Sequence, residues 1–275
     1  MFLGANMTEK IRLIAKKMSG YLPAEKEYVF LLCGSATETE YPRDIDFMVY
    51  DADGDIDGFA EEITCALVSD GIDADIRFMD ELNMRAVKFR WNDSPISIHI
   101  VSYKDIEKYV GRAGTPEVYT QVDILSYTLN YPTVYRKWII DTIFVCGNKN
   151  LKKDLSERLK DTMPVTEICD ALVWNINNTI SYCLEKWNNG EITKGILLLK
   201  VFREVLLYSY AINRQYFGTA KYIDGDMMGF QVGRDVCDLC IKLFGMINDH
   251  PTEQVKYILS EIRNCINSRE TDQKR

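Results

Sequence analysis

Apolar residues recur along the first half of the chain with a period that changes from segment to segment, and along the second half with a helical period held for long stretches. Ile11, Ile14, Ala15 and Met18 predict an opening helix that Gly20 and Pro23 close. Tyr28 to Cys33 is a short apolar run that stops at Gly34, the pattern of a buried strand, and Ile45 to Tyr50 predicts a second strand beyond a polar loop containing Pro42. Phe59, Ile63, Ala66 and Leu67 fit a helix between Asp57 and Asp70, ended by Gly71. Strands are then predicted at Asp73 to Met79, Ala86 to Trp91 and Ile96 to Ser102, the last two joined by a turn at Asn92 to Pro95. Thr115 as N-cap and Pro116 at the first helical position predict a helix over Val118 to Leu129. A short strand at Thr142 to Val145, a turn at Gly147-Asn148 and a Lys-rich helix from about Leu151 follow.

Beyond Pro164 the period settles. Ile168, Leu172, Ile176, Ile180, Cys183, Leu184 and Trp187 trace one face of a long helix, and Gly and Pro signals separate three more, at roughly 192–216, 233–247 and 252–267. Four such helices make a small bundle. The change of period therefore divides the chain near Met163-Pro164, giving an α+β domain over residues 1–162, built on a mixed sheet, and an all-α domain over residues 163–275. A length of 275 residues allows each domain its own core.

Charge narrows the partners. A formal net charge of -8 argues against extensive phosphate contact with DNA or RNA, which needs a concentrated basic surface, and suits a cationic small substrate better. No apolar run approaches the roughly 20 residues of a membrane span, and residues 1–17 mix charge into an amphipathic pattern, so a cytoplasmic location is expected. The eight cysteines are scattered through apolar stretches and read as reduced thiols; Cys237 and Cys240 form a lone CxxC, short of the ligands a zinc site needs.

The candidate chemistry lies between the first two strands. Gly34-Ser35 follows Leu31-Leu32-Cys33 directly, and Asp44-Ile45-Asp46-Phe47 opens the next strand. Residues two apart on a strand share a face, so Asp44 and Asp46 present two carboxylates together while Ile45 and Phe47 turn to the core. Two adjacent carboxylates repel unless a cation lies between them, which points to oxygen-seeking Mg²⁺ or Mn²⁺. A glycine turn just ahead lets backbone amides and the Ser35 hydroxyl approach a phosphate.

This Gly-Ser turn, short loop and Asp-x-Asp strand resembles the signature of the polymerase-β-like nucleotidyltransferase superfamily, whose members include antibiotic-modifying adenylyltransferases of the aminoglycoside and lincosamide type, toxin–antitoxin nucleotidyltransferases and tRNA end-adding enzymes. The resemblance covers about 16 residues. It implies that Gly34 and Ser35 hold the phosphates of a nucleoside triphosphate, ATP being the first expectation. It also implies that Asp44 and Asp46 bind the metal activating an acceptor hydroxyl, and that a helical carboxy-terminal domain closes over the site. The implied reaction is transfer of a nucleoside monophosphate, here AMP, to a hydroxyl of a small molecule such as an aminoglycoside-like antibiotic. A regulatory or toxin–antitoxin module of the same fold acting on RNA or protein, or one without turnover, is the alternative.

A third carboxylate completes such sites and takes the proton from the attacking hydroxyl. Asp75, on the strand after the second helix, is one expectation. The strand Ile96 to Val101 is the other place for it, but carries Ser97 and His99 instead of an acid, which leaves His99 as an alternative base or substrate contact. In the helical half, the segment ending Gly218-Thr219-Ala220-Lys221 is similar to one in adenylyltransferases whose lysine reaches the triphosphate, which makes Lys221 a candidate; Lys200 and Arg203 on the preceding helix are weaker ones.

Overall fold

The computed structural model describes residues 8–37, 39, 42–79, 83–125, 130–188, 190–249 and 251–273. The chain divides into two compact units, one of Met1–Ala113 with Thr133–Thr162, the other of Gly114–Pro132 with Met163–Arg275.

The first unit is a mixed six-stranded sheet flanked by helices. Helix α1 (Glu9–Ser19) starts where the Thr8 hydroxyl accepts the Ile11 amide, and it buries Ile11, Ile14, Ala15 and Met18. Strand β1 (Tyr28–Cys33) is buried from Val29 onward, as its unbroken apolar run requires, and pairs antiparallel with β2 (Ile45–Asp51) and β6 (Ile143–Gly147). Helix α2 (Ile56–Ser69) is capped by the Asp55 carboxylate, which accepts the Gly58 amide. Strands β3 (Ala74–Met79), β4 (Met84–Trp91) and β5 (Ser94–Ser102) run antiparallel to one another, and β5 then lies parallel to β2, giving the order β3-β4-β5-β2-β1-β6. Asn92 and Asp93 both take positive φ, the conformation a two-residue hairpin demands.

Register assigns the two faces of the sheet. Phe30, Leu32, Ile45, Phe47, Val49, Val87, Ile96, Ile98 and Ile100 point to one side and form a continuous core with the buried faces of α1 and α2. Asp46, Met48 and Tyr50 of β2 point to the other, beside Ser97 and His99 of β5 and Lys88 of β4. Helix α3 (Tyr103–Val110) follows on directly from β5. Helix α4 (Glu117–Thr120) belongs to the second unit. The chain re-enters the first unit through α5 (Tyr131–Val134), which widens into a π-helical turn over Tyr135–Ile140, and β6 leads into α6 (Lys149–Leu159). The π turn is tied to the sheet by the Tyr50 hydroxyl, which donates to the Trp138 carbonyl, and its end is closed by the Lys152 ammonium, which donates to the Ile139 and Thr142 carbonyls.

The second unit is the expected bundle. Helices α7 (Val165–Glu185), α8 (Glu191–Ile212), α10 (Arg234–Gly245) and α11 (Thr252–Gln273) pack in a ring, α7 on α8, α8 on α10, α10 on α11 and α11 on α7. Three differences from the sequence reading have local causes. The helix expected over Val118 to Leu129 ends at Thr120, because the Asp123 carboxylate takes the Leu125 amide and Arg203 takes the Thr120 and Val122 carbonyls that a continuing helix would use; residues 126–129 lie outside the described residues. Helix α8 stops at Ile212 instead of near 216. There the Asn213 side chain folds back on the Ser209 carbonyl and receives the Gln231 and Val232 amides, with Arg214 at φ 52°. A short α9 (Ile223–Gly229) follows where no helix was expected. No described helix is long and apolar enough to cross a membrane.

Candidate active site

The site is assembled at the end of β1 and the start of β2. Gly34 has φ +69°, a left-handed conformation that strains any residue with a Cβ, and the space its missing Cβ leaves is filled by the Asp46 carboxylate: a Cβ there would stand 2.9 Å from Asp46 Oδ2. Cys33 and Asp46 are directly paired across the two strands, so the glycine turn and the acid are brought together by register. Residues Gly34–Thr37 form one 3-10 turn, stabilised by the Thr37 hydroxyl donating to the Gly34 carbonyl at 2.8 Å, in place of the longer helix that phosphate-cradling turns usually open. Ser35 is half-exposed on this turn. Asp44 lies exposed in a bend just ahead of β2.

Asp46 is the electrostatic centre. Its side chain is 19% exposed, and His99 Nε2 lies 3.5 Å from its Oδ1. Burial pushes the Asp46 carboxyl up, but the hydrogen bond and charge of His99, with the charges of Lys137 and Lys88, outweigh that and hold it below the ordinary carboxylate range. The Cys33 thiol behind it is fully buried and moves the other way: burial raises it, and the negative charges of Asp46 and Asp44 raise it further, so Cys33 is an inert neutral thiol. His99 is itself set by the neighbouring helix, its ring centroid 6.4 Å from that of buried Trp138 on the π turn. His99 Nδ1 is buried with no hydrogen-bond partner among the described residues.

The structure corrects the assignment of Asp75 and shows the surroundings of the other candidates. Asp75 is not brought to Asp44 and Asp46. It lies on edge strand β3, and the register Asp46–Ser97–Lys88–Asp75 puts three strand spacings, roughly 14 Å, between the two carboxylates. Its carboxylate is exposed and pairs with Arg77 Nε at 2.8 Å. The position next to Asp46 is taken by Ser97, with His99 two residues on, and no group of three or more His, Cys, Asp or Glu converges among the described residues. Arg203 is engaged structurally, its guanidinium donating to the Thr120 and Val122 carbonyls at 2.8 and 2.9 Å. Lys200 is an exposed residue of α8, and Lys221 is exposed with its ammonium 5.2 Å from the Tyr222 ring centroid; both belong to the second unit. Cys237 and Cys240 are free, buried thiols of α10.

Sequence reasoning missed two residues that the fold adds to the site, Lys137 and Lys88. Lys88 alternates with the buried Val87 and Phe89 on a strand, a signal legible only once the register of β4 against β5 is known. Lys137 sits between buried Tyr135 and Trp138 in a π turn whose aromatic content looks like core.

No known protein-family model matches the chain, and no curated protein matches its sequence. Among solved structures it is similar to a nucleotidyltransferase-like protein from Exiguobacterium sibiricum, at 10% identity and a TM-score of 0.46 over 94% of this chain and 75% of that one. It is also similar to a cytoplasmic RNA terminal U-transferase, at 12% identity and a TM-score of 0.23 over 42% of this chain and 39% of that one. Likenesses of this size leave the reading of the site to its own residues.

Proposed function

We propose that this chain is a nucleotidyltransferase that moves a nucleoside monophosphate, AMP in the first instance, from a nucleoside triphosphate to a hydroxyl of a small acceptor, releasing pyrophosphate. The observation that carries the reading is the fit of the Asp46 carboxylate into the space beside a positive-φ Gly34, which couples the acid-bearing strand to the Gly34–Thr37 turn. Asp44 and Asp46 suit one Mg²⁺ or Mn²⁺ held jointly by protein and nucleotide, because such ions are commonly bound through one or two carboxylates plus substrate phosphates. That ion, when bound, supplies charge neutralisation at the phosphorus under attack.

The chain's own residues would divide the remaining work. Gly34 and Ser35 approach the phosphates; Asp46, already ionised, stays a ligand across the neutral pH range because its carboxyl is held low. His99 would orient Asp46 through its Nε2 contact. The acidic net charge of -8 supports a cationic acceptor of the aminoglycoside or lincosamide kind.

A second reading, a nucleotide-binding module of the same fold without turnover, is favoured by the Ser97 and His99 occupancy of the third-acid position. The two readings part on one experiment. The protein is incubated with Mg²⁺, α-labelled nucleoside triphosphates and a panel of aminoglycosides, lincosamides, RNA and protein acceptors. Label transfer abolished by Asp46→Asn supports the enzyme; nucleotide binding with no transfer to any acceptor supports the module.

A further inference from the structure

Lys88 and Lys137 share the site face of the sheet. Lys88 is placed by register, directly opposite Ser97, which is directly opposite Asp46, so its side chain rises two strand spacings, roughly 10 Å, from the carboxylate and on the same side. Lys137 is placed by the π turn, which the Tyr50–Trp138 hydrogen bond fixes over the same face and whose Trp138 ring lies beside His99. Both ammonium-bearing side chains are half-buried, and neither makes a hydrogen bond or ion pair among the described residues. Elsewhere in this unit other lysines have partners: Lys17 pairs with Asp70, Lys26 with Asp55 and Glu62, and Lys152 donates to the Ile139 and Thr142 carbonyls. Two half-buried cations with no carboxylate salt bridge of their own among the described residues, turned toward one site, form an arrangement that an anion completes. Both charges are felt at Asp46, and Lys137 also at Cys33, so they converge on the site.

We infer that Lys137 and Lys88 are a polyphosphate-binding pair, seating the phosphates of a nucleoside triphosphate over Asp46 from the side where a third carboxylate is missing. This rests on the nucleotide reading above and specifies its electrostatics. Asp44 and Asp46 would hold a divalent ion that neutralises part of a triphosphate's charge, and the two ammonium groups would neutralise more of it. Such a pair would let the site seat a triphosphate with Ser97 and His99, and no third acid, on the strand beside Asp46. The lysines take no part in bond making. They hold the phosphates by charge-assisted hydrogen bonds, with every donor on the protein side.

The test is calorimetric binding of ATP, inorganic tripolyphosphate and AMP to the full chain, in EDTA and again in Mg²⁺. The variants are Lys137→Gln, Lys88→Gln, Lys137→Arg and, as a control on an exposed lysine of the same unit, Lys104→Gln, with circular dichroism to establish that each is folded. In EDTA the wild type is expected to bind ATP and tripolyphosphate. Each Gln variant weakens both by about tenfold or more while AMP loses less, Lys137→Arg restores most of the affinity, and Lys104→Gln behaves as wild type. Folded Gln variants that bind ATP and tripolyphosphate as the wild type does overturn the inference and leave the nucleotide reading standing, as does an equal loss for AMP. A wild type that binds no nucleoside triphosphate with or without Mg²⁺ removes the nucleotide reading itself.

Discussion

Gly34→Ala isolates what the glycine turn does. The substitution has two separable effects. A left-handed φ of +69° costs an L residue about 1–2 kcal/mol wherever it occurs. The new methyl also lands 2.9 Å from Asp46 Oδ2, so the carboxylate or the turn must yield by about 0.5 Å before an ordinary contact of 3.4 Å is restored. Gly71 provides the matched control, because its φ of +76° imposes the same backbone strain while nothing lies within 4 Å of its would-be Cβ. Urea denaturation is expected to show Gly71→Ala destabilised by about 1–2 kcal/mol and Gly34→Ala by at least as much. Only Gly34→Ala is expected to lose nucleotidyl transfer, by roughly tenfold to a hundredfold, since sub-ångström misplacement of a catalytic group carries penalties of that order. Equal losses of function in the two variants, or none in either, would refute the reasoning that the turn is shaped around Asp46.

Other outcomes follow from the same geometry. Asp75→Ala is expected to leave ATP affinity and transfer unchanged and to cost under about 0.5 kcal/mol, because its carboxylate is exposed and pairs with exposed Arg77; a loss of Mg²⁺-dependent ATP binding would restore it to the site. Arg203→Met removes two hydrogen bonds from a half-buried guanidinium to backbone carbonyls, at about 2–4 kcal/mol, and is expected to expose residues 114–125 to limited proteolysis; an unchanged digestion pattern contradicts the structural role. Burial lowers Lys152 to about 8 from an ordinary value near 10.5, so between those values the unfolded chain holds a proton that the folded chain has released. The folded state therefore gains stability from this residue as pH rises from about 8 to 10.5. Urea midpoints of the wild type are expected to climb relative to Lys152→Met across that window, and parallel pH profiles would contradict the assignment.

Most of the sheet was legible in the sequence because each strand carries its own local signal. The apolar run Tyr28 to Cys33, stopped by Gly34, reads as a buried strand, and Asn92 to Pro95 as a turn, which the structure tightens to a two-residue hairpin between Trp91 and Ser94. The nearness of the Gly34 turn to the acids was suggested by their spacing, since turn and acids lie within 13 residues. What the sequence hid was order across the sheet. Asp75 looked adjacent to the acids because β3 follows α2 directly, but β3 is the edge strand and β5 inserts beside β2, so a residue that is near in sequence lies far in space and Ser97 takes its place. Lys88 and Lys137 were hidden by the same cause: neither is near the acids in sequence, and only the register of β4 and the position of the π turn bring their charges to Asp46. The failed helix at Thr120 has another origin, a distant arginine and a local Asp123 competing for backbone groups that propensity alone assigns to a helix.

The most direct test of the account is the fate of the α-phosphate. With α-labelled ATP, Mg²⁺ and the acceptor panel, the wild type is expected to place label on a hydroxyl-bearing acceptor. Asp46→Asn, which keeps the shape but removes the charge, should abolish that transfer while urea denaturation shows the fold intact. Label transfer by Asp46→Asn at the wild-type rate would contradict the claim that this carboxylate, seated against Gly34, is the centre of the site.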